Sequence, residues 1–442
     1  MTQKFIRIFS HENEDQSLNP LGTAMYDAGH GYAFLLNESQ TELDPFLLTS
    51  SCGTIEISSR LKDGADGGIS PYFREFLPGK FASNAINNIS KWGEASDFDK
   101  LEYISEHRTE CKHLYLNPNV NKKSYIAESS ADLGYLAKKI VKAQTHEEDF
   151  KIDSSNELSC ISQYKSQHGT LDFLLKHNRY VCKILNPNIT DCHPKVMTML
   201  ANVQAGVGIC TAKTFISTIP NTGIQAVMSA RFDQEMVNIG RTGLIQASKY
   251  NTVSAASLLE CLELQKKKPG KIKEHNYGQV VELINKLSIN PEKDKHELFK
   301  RCLFNIFVSH TDNSLENVIF IKKEAGWQLA PAISVKPTTD EYSLFSTSYR
   351  IDAQASPISD HINKKLVLYL AEKFEVPEQK ALFYALEISN VLSECQTLFS
   401  NDGLETEWSK YKKTIRTEEA NELVNEIRSD VETILGKKSF SF

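Results

Sequence analysis

The amino-acid sequence predicts an α+β protein in which a strand-rich first part gives way to a helical last part. Short alternating apolar runs dominate up to about residue 254, and three- and four-residue apolar spacing dominates after it. With 442 residues the chain also exceeds one ordinary hydrophobic core, so two or three structural units are expected.

Up to about residue 145 the pattern is that of short strands and turns: GYAFLLN at 31–37, then FLLTSS and GTIEIS, punctuated by Gly, Asp and Pro. This predicts a small β-rich unit over 1–150, closed by the polar, acidic, aperiodic stretch THEEDFKIDSSNE at 145–157. Residues 151–254 form a mixed unit, with strands such as YVCKIL at 180–185 and GIQAVMSARF at 223–232 on either side of one helical stretch, KVMTMLANVQAG. Residues 255–442 are helical, as in AASLLECLELQ, YGQVVELINKL, KHELFKRCLFNIFVSH, KKLVLYLAEKF and the charged tail from Glu405 to Gly436. The apolar positions of that tail suit packing on the same lobe.

Composition excludes several classes. A hydrophobic share of 40%, a charged share of 24% and a formal charge of -6 are those of a globular protein rather than a disordered chain. The first residues contain no apolar stretch of secretory type, which predicts a cytoplasmic protein. The longest mostly apolar stretch, Val196 to Cys210, is interrupted by Thr198, Asn202 and Gln204, so no membrane span is expected. Nine cysteines occur without a C-x-x-C pair, which suits reduced thiols, and Cys182, Cys192, His193 and Cys210 match no zinc-finger spacing. The basic run QKKKPGKIK at 265–273 has no interleaved aromatic residues and reads as a solvated loop, so direct nucleic-acid binding is not expected.

The chemistry-bearing segment is FNIFVSHTDNSLENVIF at 304–320, an apolar helix running into a polar loop and then a strand. Asp312 and Asn317 stand five residues apart in that loop. Phosphoryl transfer needs a carboxylate to orient the attacking hydroxyl and an amide oxygen to help hold Mg²⁺ beside the phosphates, and Asp-x-x-x-x-Asn supplies both. A plain turn is the other reading of that spacing. His310, just before the loop, suits a cap on the helix C-terminus.

Ten residues on comes GWQLAPAISVKPT at 326–338, and here the chain resembles a known family. Asn305, TDNSLEN at 311–317 and WQLAPAISVKPT at 327–338 resemble, in residues and separation, the Asn, the Asp-Asp-His-x-Lys-Asn loop and the Trp-x-Leu-Ser-Pro-Ala-Tyr-Asp-Leu-Asn-Pro-Thr segment of HipA-like kinases. ARFDQ at 230–234, Gly240, Arg241 and Gln246 resemble the family's hinge segment, and NPLGTAMYDAGHGYAFLL and ISPYFREFLPGKFASN resemble its first subdomain.

The resemblance implies a two-lobed protein-kinase-like fold and an ATP- and Mg²⁺-dependent serine/threonine kinase. It casts Asp312 as base, Asn317 as metal ligand, and Lys183, Ser162, Lys165 and Phe232 as nucleotide-binding residues. It also implies a toxin of a toxin–antitoxin pair, with a protein substrate such as a translation factor (an aminoacyl-tRNA synthetase, for example) and a DNA-binding antitoxin partner. The chain departs from the family at three places. Ser334 stands where the second metal-binding Asp is expected, Lys195 stands roughly where a Glu precedes the helix of the mixed unit, and ISQYKSQHG at 161–169 replaces a glycine-richer phosphate loop. A neutral hydroxyl is a weaker Mg²⁺ ligand than a carboxylate, so impaired catalysis, or a pseudokinase acting as a binding module, is the alternative expectation.

Overall fold

The computed structural model describes residues 4–11, 18–27, 31–36, 54–57, 71–77, 83, 95–107, 110–111, 114–116, 130–146, 170–175, 178–185, 193–219, 221–239, 244–264, 275–310, 314–323, 325–333, 335–337, 351 and 361–438. Ser162, Lys165, Asp312, Ser334, the 147–157 stretch and the 265–273 basic run lie outside them. The chain divides into two compact units, each discontinuous in sequence: 1–189 with 217–273, and 190–216 with 274–442.

The first unit begins with an antiparallel sheet of six strands in the order β4-β3-β2-β1-β6-β5. Its strands are β1 (Lys4–His11), β2 (Leu18–Asp27), β3 (Gly31–Leu36), β4 (Thr54–Ile57), β5 (Glu110–Cys111) and β6 (Leu114–Leu116). In β1 the period-two pattern is plain, since Ile6 and Ile8 are buried while Phe5 and Arg7 face outward. Helices α1 (Pro71–Arg74), α2 (Asp97–His107) and α3 (Ser130–His146) accompany these strands. The sequence reading had strands and turns here, yet α3 buries Leu133, Leu136, Ala137 and Ile140 at three- and four-residue spacing. That helical period was present in the sequence and was outweighed by the β-rich surroundings.

A second antiparallel sheet carries β7 (Thr170–Leu175), β8 (Asn178–Ile184) and β10 (Gln225–Ala230), and ends on β9 (Thr214–Thr218). The hairpin β11 (Gln234–Ile239) and β12 (Leu244–Lys249) follows, then β13 (Asn251–Ser254) and α5 (Ala255–Leu264). Where α1 meets α5, Glu75 reaches a residue far along the chain. Its carboxylate accepts from the Ser254 backbone N–H and hydroxyl and from the Ser257 hydroxyl at 2.6 Å, all three residues being buried. Beside it Arg74 pairs with Glu260 at 3.0 Å.

The second unit takes the helix that interrupts the strands, α4 (Pro194–Gly206), and the helices after residue 274. These are α6 (Tyr277–Leu287), α7 (Pro291–Phe307), α8 (Lys364–Lys373), α9 (Glu378–Ser393), α10 (Cys395–Asn401), α11 (Glu405–Tyr411) and α12 (Thr417–Lys438), with the hairpin β14 (Ile319–Lys323) and β15 (Gly326–Leu329) between α7 and α8. Three of these helices start on an asparagine whose side chain accepts from the third backbone N–H: Asn276, Asn290 and Asn363. The core is apolar and aromatic, with Phe299, Phe304, Phe307, Phe374 and Phe399 fully buried. The tail helix α12 packs on α9, and its Ala420, Leu423 and Ile427 are buried. Among the described residues no helix is long and apolar enough to cross a membrane.

Candidate functional site

The site is built on the end of α7. Asn290 caps its start, Pro291 sits in the first turn where a missing N–H costs nothing, and Glu292 and Asp294 complement the helix dipole. Asp294 also fixes β15, because its carboxylate accepts from the Leu329 N–H at 2.9 Å and from the Ser288 hydroxyl at 2.7 Å. Burial nonetheless leaves Asp294 with a pKa above the usual carboxylate value. At the β14–β15 turn Gly326 has φ of +123°, and an added Cβ would lie 2.6 Å from the Ile289 side chain, so only glycine fits.

The helix ends at Phe307, and Ser309 takes a left-handed backbone, φ 48°. A serine held there carries strain of roughly 1 kcal/mol or more, so the surroundings must over-determine it. They do: the Ser309 hydroxyl donates to Thr414 O at 2.6 Å, and the Arg416 N–H donates to Phe307 O at 3.0 Å. His310 comes next, and its side chain, expected to cap the helix, engages Lys336 beyond the hairpin. Its N–H donates to Asn305 O, while its Nδ1 lies 2.8 Å from Lys336 O and 3.0 Å from Lys336 N. The tautomer decides which of the two Nδ1 engages, donating to the carbonyl or accepting from the N–H. A bridge between His310 and Pro337 runs alongside. The segment entering the 311–313 loop is therefore fastened to the segment leaving position 334.

Asn317 closes the loop, its N–H donating to Ser314 O at 2.8 Å in a tight turn before β14. Together with His310, Asn305, Ala332, Ile333 and Val335 it lines a cavity of about 50 Å³ within the second unit. Arg301 and Gln204 line the same cavity from α7 and α4. Arg301 is buried and neutralised by Glu297, with Nε 2.8 Å from its carboxylate, and its Nη2 donates to Ala330 O at 2.8 Å. The same Glu297 oxygen accepts from Cys210 N at 2.9 Å, and the Ala332 N–H donates to Cys210 O at 2.7 Å. These bonds hold 210–212 and 330–332 in one frame around the cavity.

The remaining site residues fall as follows. Lys183 is a half-buried residue of β8, opposite Thr170 on one side and Val227 on the other, and Phe232 is half-buried directly after β10. Both belong to the first unit, where Arg231 and Asp233 flank Phe232 as a buried ion pair at 2.6 Å. Lys195 is exposed in the first turn of α4, its N–H accepted by the His193 side chain. Cys182 is buried in β8, and burial pushes its thiol up to about 12. Arg301 and Gln204 are the contributors that sequence reasoning missed. A glutamine among the apolar positions of α4 was the available signal.

The oxygen donors facing the cavity, the Asn317 and Asn305 amides and the Ser314 hydroxyl, are of the hard type Mg²⁺ prefers. The space suffices for an ion with a few waters. Among the described residues, however, the lining adds no carboxylate to these neutral donors and includes the Arg301 guanidinium.

The architecture defines an α+β protein with a polar loop and β-hairpin hung on the end of a buried helix. Residues 176–432 match the family model of the HipA-like C-terminal domain, and the chain belongs to that family. Among solved structures it is similar to the Shewanella oneidensis HipA of a toxin–antitoxin complex with HipB and operator DNA. The TM-score is 0.62 at 13% identity, covering 96% of this chain and 99% of that one. It also matches the Helicobacter pylori proinflammatory kinase CtkA at TM-score 0.31 and 14% identity, over 57% of this chain and 94% of that one. No curated protein sequence matches the chain.

Proposed function

We propose that the chain is an ATP- and Mg²⁺-dependent serine/threonine protein kinase of HipA type with a two-lobed kinase-like fold. The observation that carries this reading is the cavity shared by Asn317 and the segments on both sides of position 334, beside the strapped approach to the 311–313 loop. In this reading Asp312 orients and accepts the proton of the substrate hydroxyl, and Asn317 holds Mg²⁺. Lys183, Phe232, Ser162 and Lys165 bind the nucleotide. Bound Mg²⁺ would neutralise charge developing on the transferring phosphoryl group. His310 keeps the Asp312 loop and the Ser334 segment in register, a positioning role. The protein works in the cytoplasm as the toxin of a toxin–antitoxin pair, on a translation factor such as an aminoacyl-tRNA synthetase. A DNA-binding antitoxin is its partner, in keeping with the HipB complex of the Shewanella protein.

A second reading, a pseudokinase that binds a partner, is favoured by Ser334, whose neutral hydroxyl replaces a carboxylate. Incubation with labelled ATP and Mg²⁺ or Mn²⁺ separates the two. The kinase reading expects phosphotransfer that Asp312→Ala abolishes and Ser334→Asp raises by an order of magnitude or more. Absence of phosphotransfer, together with no rise in melting temperature on adding nucleotide and metal, overturns it.

A further inference from the structure

The chain leaves α7 on a strained step. Ser309 is 3% exposed and holds a left-handed backbone at φ 48°, three residues before Asp312. Glycine would take that conformation at no steric cost. Serine takes it while its hydroxyl donates to Thr414 O at 2.6 Å, across a separation of 105 residues. A buried hydrogen bond returns about what a left-handed side chain costs, so the serine adds little stability over glycine. What it adds is direction, because the hydroxyl fixes the backbone at the point where the chain turns toward 311–313.

The support on which Ser309 rests is itself tightly bonded. Thr414 is fully buried, and Tyr411 O accepts from the Thr414 N–H and hydroxyl and from the Ile415 N–H. Two residues on from Thr414, the Arg416 N–H donates to Phe307 O at 3.0 Å, so the same turn also holds the last residue of α7. The buried Arg416 guanidinium meets both Glu419 carboxylate oxygens at 3.2 Å, and Glu419 accepts from the Ile362 N–H at 2.5 Å. Residues 414–419 thus grip the chain on both sides of the site segments, at Phe307 and Ser309 before them and at Ile362 after them.

We propose that 414–419 is a positioning strap for phosphoryl transfer. Ser309, anchored on Thr414, aims the chain into the loop that carries Asp312, and the Arg416–Glu419 pair steadies that anchor by holding Ile362. The inference rests on the reading of Asp312 as the base. Ser309, Arg416 and Glu419 are positioning residues, acting through the backbone ahead of Asp312. A displacement of about 1 Å at a reacting group can cost on the order of 100-fold in rate, so a fixed approach to the loop matters.

The test is steady-state ATP turnover by the full chain with Mg²⁺, read beside thermal melting. Ser309→Gly removes the hydroxyl and the strain together, so its melting temperature is expected within a few degrees of wild type. Its turnover number should fall about tenfold or more while KM for ATP stays within about twofold. Ser309→Ala lacks the same hydroxyl but keeps the strained backbone, and it should melt lower while losing a similar factor in turnover. Glu419→Ala leaves Ser309 in place, and it should lower the turnover number severalfold and speed amide exchange over 305–310. The proposal is overturned if turnover follows melting temperature, with Ser309→Gly at the wild-type rate, or if folded Glu419→Ala stays within about twofold of wild type. Failure of the wild-type chain to turn over ATP is a different result, and it overturns the reading of Asp312 as base together with the proposal built on it.

Discussion

The two units are held together differently. The first joins residues far apart in the chain through a few polar contacts: the buried cluster of Glu75 with Ser254 and Ser257, and the part-exposed ion pairs of Lys4 with Asp99 and Glu102 at 2.7 Å. The second rests on capped helices whose apolar faces meet, with one buried charge network, Glu297 and Arg301, gathering 210 and 330 around the cavity. The difference bears on function. The proposed metal ligand belongs to a region whose frame is mostly set by local helix formation, whereas the proposed nucleotide lysine lies on a strand whose place depends on long-range pairing.

Substitutions sharpen this contrast. The largest effect is expected for Arg301→Ala, which leaves Glu297 charged and buried and removes a donor from the Ala330 carbonyl. Losing one partner of such a pair costs about 3–5 kcal/mol, and urea unfolding of the variant measures it. A loss below about 1 kcal/mol would mean that the network does not organise the second unit. Glu75→Ala comes next, at about 3 kcal/mol, because three donors lose a buried acceptor at once. Amide exchange should then rise first in α1 and at the start of α5, and uniform exchange across the second unit instead would contradict the long-range tie. Smallest is Asn290→Ala at about 1 kcal/mol, the usual worth of a helix cap. If this variant proved as damaging as Glu75→Ala, the second unit would depend on single contacts as much as the first does.

Much of the site was legible in one dimension because its parts are close in sequence. Asp312 and Asn317 share one loop, and the segment around 334 follows after a single hairpin, so spacing and residue type could be matched directly. The role of His310 was not legible. A cap on its own helix needs only local geometry, but its bond to Lys336 exists because a hairpin turns the chain back by 26 residues. The helix α9, absent from the expected elements, is weakly patterned, and it holds its place through buried Ala381, Ala385, Ile388 and Leu392 against neighbours distant in sequence.

Residue order alone was enough to establish the α+β class, the change from strand to helical periodicity, and the family, for each rests on short-range pattern: side-chain period and motif spacing. The assignment of α4 to the unit of the C-terminal helices, the reach of Glu75 to α5, and the meeting of Gln204 and Arg301 with Asn317 at one cavity required the folded chain. These depend on which surfaces bury against one another, and the free energy of that burial is a property of the whole core rather than of any segment.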